Sequence, residues 1–352
     1  MKTFLTPFFL IGIAFLWVAC SNPTPPTPTF KKDKLVGETM GTTFSVSYLY
    51  KEDRAPDLAT PLTELLIAYN QAVSTYIKDS DISKLNRGKD TVLVLASDNY
   101  LMENLRMAKK VYQKTDGWFN PCVMPLVNYW GFGYTPKKMI TQIDSSQIDS
   151  LLDLVNFEGI QWQALGDSVK LTWQAGTQLD LSACAKGDAV DRVCYALDKL
   201  GYAHYFVEIG GEVRAKGTTA GGFPWRTGIR KPKEGSPLNA LQIAVELADR
   251  ALATSGNYEN YYVDSTTGIK YAHTINPHTG YPEKNMLLSA SVFAPTCGEA
   301  DAYATAFMAM GLEKAFAVAE QSPQLEAYFV YSREDGSLAT RQTSKIGRYL
   351  VE

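Results

Sequence analysis

Histidine is scarce in this chain: only His204, His273 and His278 are present. The five cysteines, Cys20, Cys122, Cys184, Cys194 and Cys297, form no C-x-x-C pair. A histidine-rich or four-cysteine metal centre therefore has little to be built from. No G-x-x-x-x-G-K-[ST] loop occurs, and no G-x-G-x-x-G follows a strand, which removes the two commonest phosphate-cradling loops. Basic excess is missing as well: 34 Lys and Arg stand against 37 Asp and Glu, for a net charge of −3. Nothing in this balance suggests a nucleic-acid binder, which would usually show a basic face. Neither an internal repeat nor a second linker interrupts the pattern. What remains is a weakly acidic, globular composition, 45% apolar over 352 residues, enough for a substantial core in one large domain or two.

The amino terminus carries one long apolar run, from about Phe4 to Ala19. It is too short and too early for a stop-transfer helix but has the length of a signal h-region. It ends in Ala19-Cys20-Ser21, which looks like a bacterial lipoprotein junction with Cys20 as the lipid-bearing first residue. A plain secretory signal with an incidental cysteine is the alternative. The expected organisation is a leader over residues 1–19, a Pro/Thr-rich linker over 20–34 and a folded domain over 35–352. The prolines of SNPTPPTPT favour an extended spacer. The domain would then stand off a cell membrane on the extracytoplasmic, periplasmic side. The other four cysteines read chiefly as small buried hydrophobes, although Cys184 and Cys194 can pair in an oxidising compartment.

Periodicity assigns the elements. An alternating strand is expected over 43–50 and a helix from Thr60-Pro61 with Leu62, Leu65, Leu66, Tyr69 and Val73 on one stripe. A short strand over 91–95 leads to a second helix capped by Ser97, which carries Leu101, Leu105, Ala108, Val111 and Tyr112 and stops at Gly117. Residues 141–154 read as helix. Val169–Trp173 and Thr177–Leu181 read as paired strands around Ala175-Gly176. Further strands are expected over 205–209, 225–229, 241–245 and 288–293, with a turn over 251–262. One α+β domain, with mixed or antiparallel sheets packed against helices, is the economical reading.

Two stretches carry chemistry. In LDLSACAKGDAVDR, Leu179–Arg192, small residues bring the backbone close to a ligand, and Lys186 sets a cation at a helix N-terminus that already favours anions. That is either a phosphate-binding turn or an ordinary strand-to-helix connection. In GEADAYATAFMAMG, Asp301 and Thr305 stand one helical turn apart on one face. They offer two hard oxygens to a cation such as magnesium, or else a solvated Asp and a Thr bonded to its own helix. The aromatic loop over 117–133 is too apolar for a solvated connector.

The segments GETMGTTFSV, STYIKDSDISKLN, DGWFNPCVMPLVNYWGFG, LDLSACAKGDAVDRV, VEIGGEVRAKG, ALATSGNYENYY, HTINPHTGYP and CGEADAYATAFMAMG resemble, in order, the ApbE family of FAD:protein FMN transferases. The resemblance implies an ApbE-like domain and a magnesium ion held by the backbone carbonyl of Ala183 with Asp301 and Thr305. It implies FAD contacts at Met40, Tyr76, Trp118, Phe119, Asn120, Asp180, Lys186 and Ile275, and places His273 beside the pyrophosphate. Asn120 stands where the family usually has Asp, Ser182 where Gly is common, and Asn276 where Asp is usual. The implied reaction moves FMN from FAD to a Thr or Ser hydroxyl of an extracytoplasmic flavoprotein, with AMP released. His273 and Asp301 would be its catalytic residues. Two rivals remain: hydrolysis of FAD to FMN and AMP at the same site, and flavin binding without turnover. His273 can serve as a base or only shape its loop, and Tyr76, Trp118 and Phe119 can stack on a flat ring or simply pack the core.

Overall fold

The computed structural model describes residues 30–51, 57–88, 91–135, 143–232, 240–257, 261–263 and 270–351. The leader, Cys20 and most of the linker lie outside the described residues, as do residues 141–142 of the helix expected over 141–154. The amino-terminal half comprises β1 (Lys31–Thr39), β2 (Thr42–Tyr50), α1 (Ala59–Val73), α2 (Asp81–Arg87), β3 (Val92–Ala96), α3 (Tyr100–Lys114), α4 (Met124–Tyr129) and α5 (Ser145–Leu152). There follow β4 (Gln161–Leu165), β5 (Ser168–Thr172), α6 (Ala185–Lys199), β6 (Tyr205–Ile209), β7 (Glu212–Lys216), β8 (Trp225–Arg230), β9 (Leu241–Leu247) and β10 (Ala251–Gly256). The chain closes with β11 (Tyr261–Val263), β12 (Lys270–Ala272), β13 (Leu287–Ala294), α7 (Cys297–Met310), α8 (Leu312–Gln321), β14 (Glu326–Ser332), β15 (Leu338–Gln342) and β16 (Leu350–Val351).

Eight strands build the main sheet in the order β1-β2-β6-β7-β10-β13-β14-β15. All its ladders among the described residues are antiparallel, so of the two arrangements left open by the sequence the antiparallel one holds. Alternation splits its side chains between two cores. Ala251, Ala253, Ala290 and Val292 face the helices, while Leu252, Phe293, Val213 and Val330 face the small sheet β16-β9-β8 with its Trp225, Ile229, Val245 and Leu247. The sheet is therefore covered on both faces, by helices on one side and by three strands on the other.

Four local expectations change. First, β1 opens at Lys31, so residues 31–34 are ladder residues paired with Ser47 to Tyr50 rather than linker. Second, β5 pairs with β4, across the turn at Gly166, and on its other edge with β3, and not with Thr177–Leu181. Leu179 and Leu181 are fully buried as their alternation requires, but the backbone there is held by side chains and loops. Asn86 receives the Leu179 N–H at 2.7 Å and donates to its carbonyl at 2.8 Å, and the Asp180 N–H donates to the Pro121 carbonyl at 2.7 Å. Third, residues 251–256 form an interior strand of the main sheet, and their small side chains leave room for α7 above it. Fourth, the cap of α3 is Asn99, whose side chain receives the Leu101 N–H at 2.8 Å, and not Ser97.

Candidate functional site

Helices α6 and α7 meet at a glycine. A Cβ on Gly187 would lie 2.3 Å from the Cys297 carbonyl oxygen and 2.9 Å from the Asp301 Cβ, so only glycine permits this approach. The contact lets the Gly187 N–H donate to Asp301 Oδ2 at 3.1 Å. Asp191 of α6 fixes the start of α7 by accepting the N–H groups of Cys297 (3.0 Å) and Gly298 (2.8 Å), where the N-cap Thr296 has no side-chain bond of its own. In the other direction α6 is tied to α1 and α3, because the buried Asp188 accepts from the Tyr69 hydroxyl at 3.0 Å and from Asn104 at 3.2 Å. Asp301 is thus set by two rigid helices rather than by a loop.

Above this joint opens a cavity of about 1290 Å³, larger than the roughly 300–1,000 Å³ of most small-molecule sites. Its wall brings together Asp180, Ala183 and Lys186 from the small-residue turn and the start of α6, with Asp301 and Thr305 from α7. Tyr76, Trp118, Phe119, Asn120, His273 and Ile275 join them from three other parts of the chain. Met40 alone of the expected contacts is missing from the wall. It occupies, with φ 51°, the first central position of the two-residue β1–β2 turn ahead of Gly41 at φ 72°, the left-handed pair that such hairpins demand, and it packs on the helix-side core.

The two open readings of α7 now separate. Asp301 is 2% exposed, which removes the solvated alternative, and the Thr305 hydroxyl lies 3.1 Å from Ser255 Oγ of β10. Lys186 reaches between two carboxyls, with its Nζ 3.2 Å from Glu212 Oε1 and 4.0 Å from Asp301 Oδ2. Burial pushes both carboxyls up, Glu212 to about 8, while Lys186 pulls each back. Against the same burial, Asp301 and Glu212 hold the Lys186 ammonium above the ordinary lysine value. One ammonium can balance only one of two buried carboxylates, so the other keeps a proton or requires a further cation. Asp301, Thr305 and the Ala183 carbonyl are the hard oxygens that suit such a cation. Among the described residues no cluster of three or more His, Cys, Asp or Glu side chains exists to compete for it.

The aromatic residues divide too. Phe119 is 2% exposed and belongs to the core, whereas Tyr76 is 81% exposed at the cavity wall. Trp118 lies between, its ring 4.7 Å from that of His278 and 4.6 Å from the Lys314 ammonium. Asn120 bonds to backbone on two loops, accepting from the Cys122 N–H at 3.0 Å and donating to the Val155 carbonyl at 3.2 Å. The Asp180 carboxyl is raised by burial, against the Ser182 N–H and the His273 imidazole, which lower it. Asn276 shapes the loop after His273: it accepts from the His278 N–H at 2.8 Å and donates to Glu283 at 2.6 Å. Glu212 was not among the expected site residues. The only signal it gives in sequence is an acidic residue directly after the Gly210-Gly211 pair, at the start of the strand Glu212–Lys216.

All four remaining cysteines are free and buried. Cys184 and Cys194 therefore do not pair, and burial raises both thiols.

Known proteins resemble the chain over nearly its whole length. A Vibrio cholerae protein named FAD:protein FMN transferase is 35% identical over 334 residues, covering 93% of this chain and 95% of its own. An Escherichia coli K12 protein of the same name is 31% identical, covering 100% and 99%. The solved flavin transferase ApbE from Vibrio cholerae superposes with a TM-score of 0.79 at 32% identity, over 91% of this chain and all of that one. The ApbE family profile matches residues 40–329, a span that contains every cavity residue named above, and the chain belongs to the ApbE family.

Proposed function

We propose that this protein is an FAD:protein FMN transferase: the oxygen of an acceptor Thr or Ser bonds to the FMN-side phosphorus of FAD, and the bond to the bridging oxygen breaks to release AMP. The observation that carries the reading is the juxtaposition of Lys186, Asp301 and Thr305 in one dinucleotide-sized cavity, in a chain whose relatives bear that name. Lys186 binds the pyrophosphate and balances charge on the departing AMP phosphate. Tyr76 and Trp118 offer ring faces to the isoalloxazine or the adenine. His273 takes the acceptor hydroxyl proton. Asp301, Thr305 and the Ala183 carbonyl hold Mg2+, which neutralises charge on the phosphoryl oxygens when bound. Met40 stands outside the wall and is assigned no FAD contact.

The acceptor is an extracytoplasmic flavoprotein. The enzyme is held at the membrane on its periplasmic side by lipid on Cys20. Support for the anchor is the sequence of the leader alone; among the described residues no helix is long and apolar enough to cross a membrane.

Incubation with FAD, Mg2+ and an acceptor domain carrying the target threonine tests the reading. In-gel flavin fluorescence on the acceptor with stoichiometric AMP is expected. AMP without labelled acceptor would make the protein an FAD pyrophosphatase, and unchanged FAD would make it a flavin-binding protein. Asp301→Ala abolishes transfer and hydrolysis alike; retained activity in that variant would remove the cation from the mechanism.

A further inference from the structure

Glu212 opens β7 directly after the left-handed turn Gly210-Gly211, with φ values of 61° and 104°. Its side chain is buried, with the residue 4% exposed, yet it lines the cavity. Oε1 is occupied by Lys186 at 3.2 Å. Oε2 finds no hydrogen-bond partner among the described residues. Three other buried side-chain atoms share that condition, Trp162 Nε1, Arg250 Nε and Ser289 Oγ, but none of them belongs to the cavity wall. The neighbouring Glu208 is not comparable, since it already accepts from the Gly211 N–H at 3.0 Å. A buried carboxyl oxygen without a partner is costly, and a ligand filling the cavity is the natural source of the missing donor.

The chemistry of that donor is narrow. Phosphate oxygens are acceptors with no hydrogen to give. The adenine amino group and the flavin N3–H lie at the far ends of a dinucleotide, away from the phosphates that Lys186 faces. Sugar hydroxyls flank the pyrophosphate on both sides, on the ribityl chain of the FMN half and on the ribose of the AMP half. We propose that Glu212 is a positioning and recognition residue, with one carboxyl oxygen holding the Lys186 ammonium and the other bonding a sugar hydroxyl of bound FAD. The inference rests on the reading of the cavity as an FAD site.

Its test uses opposite signs. In Glu212→Gln the amide presents its oxygen to Lys186 and turns its N–H2 toward the sugar, so that no acceptor is left there for a hydroxyl proton. Inorganic pyrophosphate should bind this variant as well as wild type or more tightly. FAD should bind about tenfold more weakly, the loss of about one charged hydrogen bond. Titrations with FMN and with ADP assign the hydroxyl to the ribityl chain or the ribose. FAD affinity that stays level or rises together with that of pyrophosphate overturns the proposal and leaves Glu212 a mere ion-pair partner. A variant that loses transfer with FAD affinity unchanged also overturns it, because the free oxygen then serves the acceptor hydroxyl.

Ligand-side deletion on the wild-type protein needs no variant to fold. ADP is compared with 2′,3′-dideoxy-ADP, and FMN with a flavin phosphate whose chain lacks hydroxyls. A loss of about tenfold in one pair is expected, and equal affinity within both pairs is contrary to the proposal. Wild-type protein that binds no FAD defeats the reading of the cavity itself, whereas the Gln variant results bear on Glu212 alone.

Discussion

Replacing Gly187 with alanine sets two effects of opposite sign against each other. Gly187 is the third residue of α6, and on helix propensity alone alanine gains about 1 kcal/mol. The added Cβ, however, falls 2.3 Å from the oxygen and 2.6 Å from the carbon of the Cys297 carbonyl. Those are backbone atoms at the start of α7, pinned by Asp191, and they cannot rotate aside as a flexible side chain would. Overpacking of this kind costs about 1–3 kcal/mol, and stretching the N–H bond to the buried Asp301 carboxylate forfeits part of about 1.5–3 kcal/mol more. The clash wins, with a net loss of about 2 kcal/mol, which lowers Tm by about 4 °C in a domain of this size. Because Asp301 moves with α7, the Mg2+ concentration needed for half-maximal FMN transfer rises in the same variant. Thermal unfolding read by circular dichroism and a Mg2+ titration of transfer provide both readouts. A Gly187→Ala protein with raised Tm and unchanged Mg2+ dependence would refute the close helix contact as the device that places Asp301.

The exposed and buried aromatics of the wall should respond differently: Tyr76→Ala changes Tm by little, as for a surface substitution, yet weakens FAD binding by about 0.5–1.5 kcal/mol of stacking. Phe119→Ala costs about 3–5 kcal/mol of stability as a core truncation; thermal melts and FAD titrations of the two variants check this, and equal losses of Tm would contradict it. For pH, the folded-state value of Glu212, about 8 in the metal-free protein, stands above its ordinary 4.5. The folded protein therefore holds a proton that the unfolded chain releases, so the stability contributed by this group is full below about 4.5 and is lost as pH rises through about 8. Melts in chelator should show Glu212→Gln gaining Tm on wild type across that window, and a constant difference would mean that Glu212 does not titrate there.

Much of the site is legible in sequence because it depends on helical spacing and on a contiguous turn. Asp301 and Thr305 share a face by periodicity, and Ala183 and Lys186 sit within four residues of each other at the head of α6. What cannot be read is which distant backbone answers a local pattern. Thr177–Leu181 alternates like a strand, and its leucines are buried as the alternation says, but Asn86 and Pro121 supply its partners in place of a ladder. Residues 251–256 look turn-like because they are small, and they are small because α7 packs against them within the main sheet. The role of Gly187 depends on α7, more than a hundred residues away, as does the charge imbalance around Lys186, which exists only once β7 brings Glu212 to it. Phe119 and Tyr76, alike as aromatics in the sequence, are separated by burial alone.

The cation position is the most direct test of the account. Anomalous diffraction from a crystal of the FAD complex grown with Mn2+ in place of Mg2+ locates the metal without reference to activity. A single strong peak is expected at about 2.0–2.2 Å from an Asp301 carboxylate oxygen, the Thr305 hydroxyl and the Ala183 carbonyl, in contact with the pyrophosphate. A metal bound elsewhere, or FAD in the cavity with its phosphates turned away from Asp301, would contradict it.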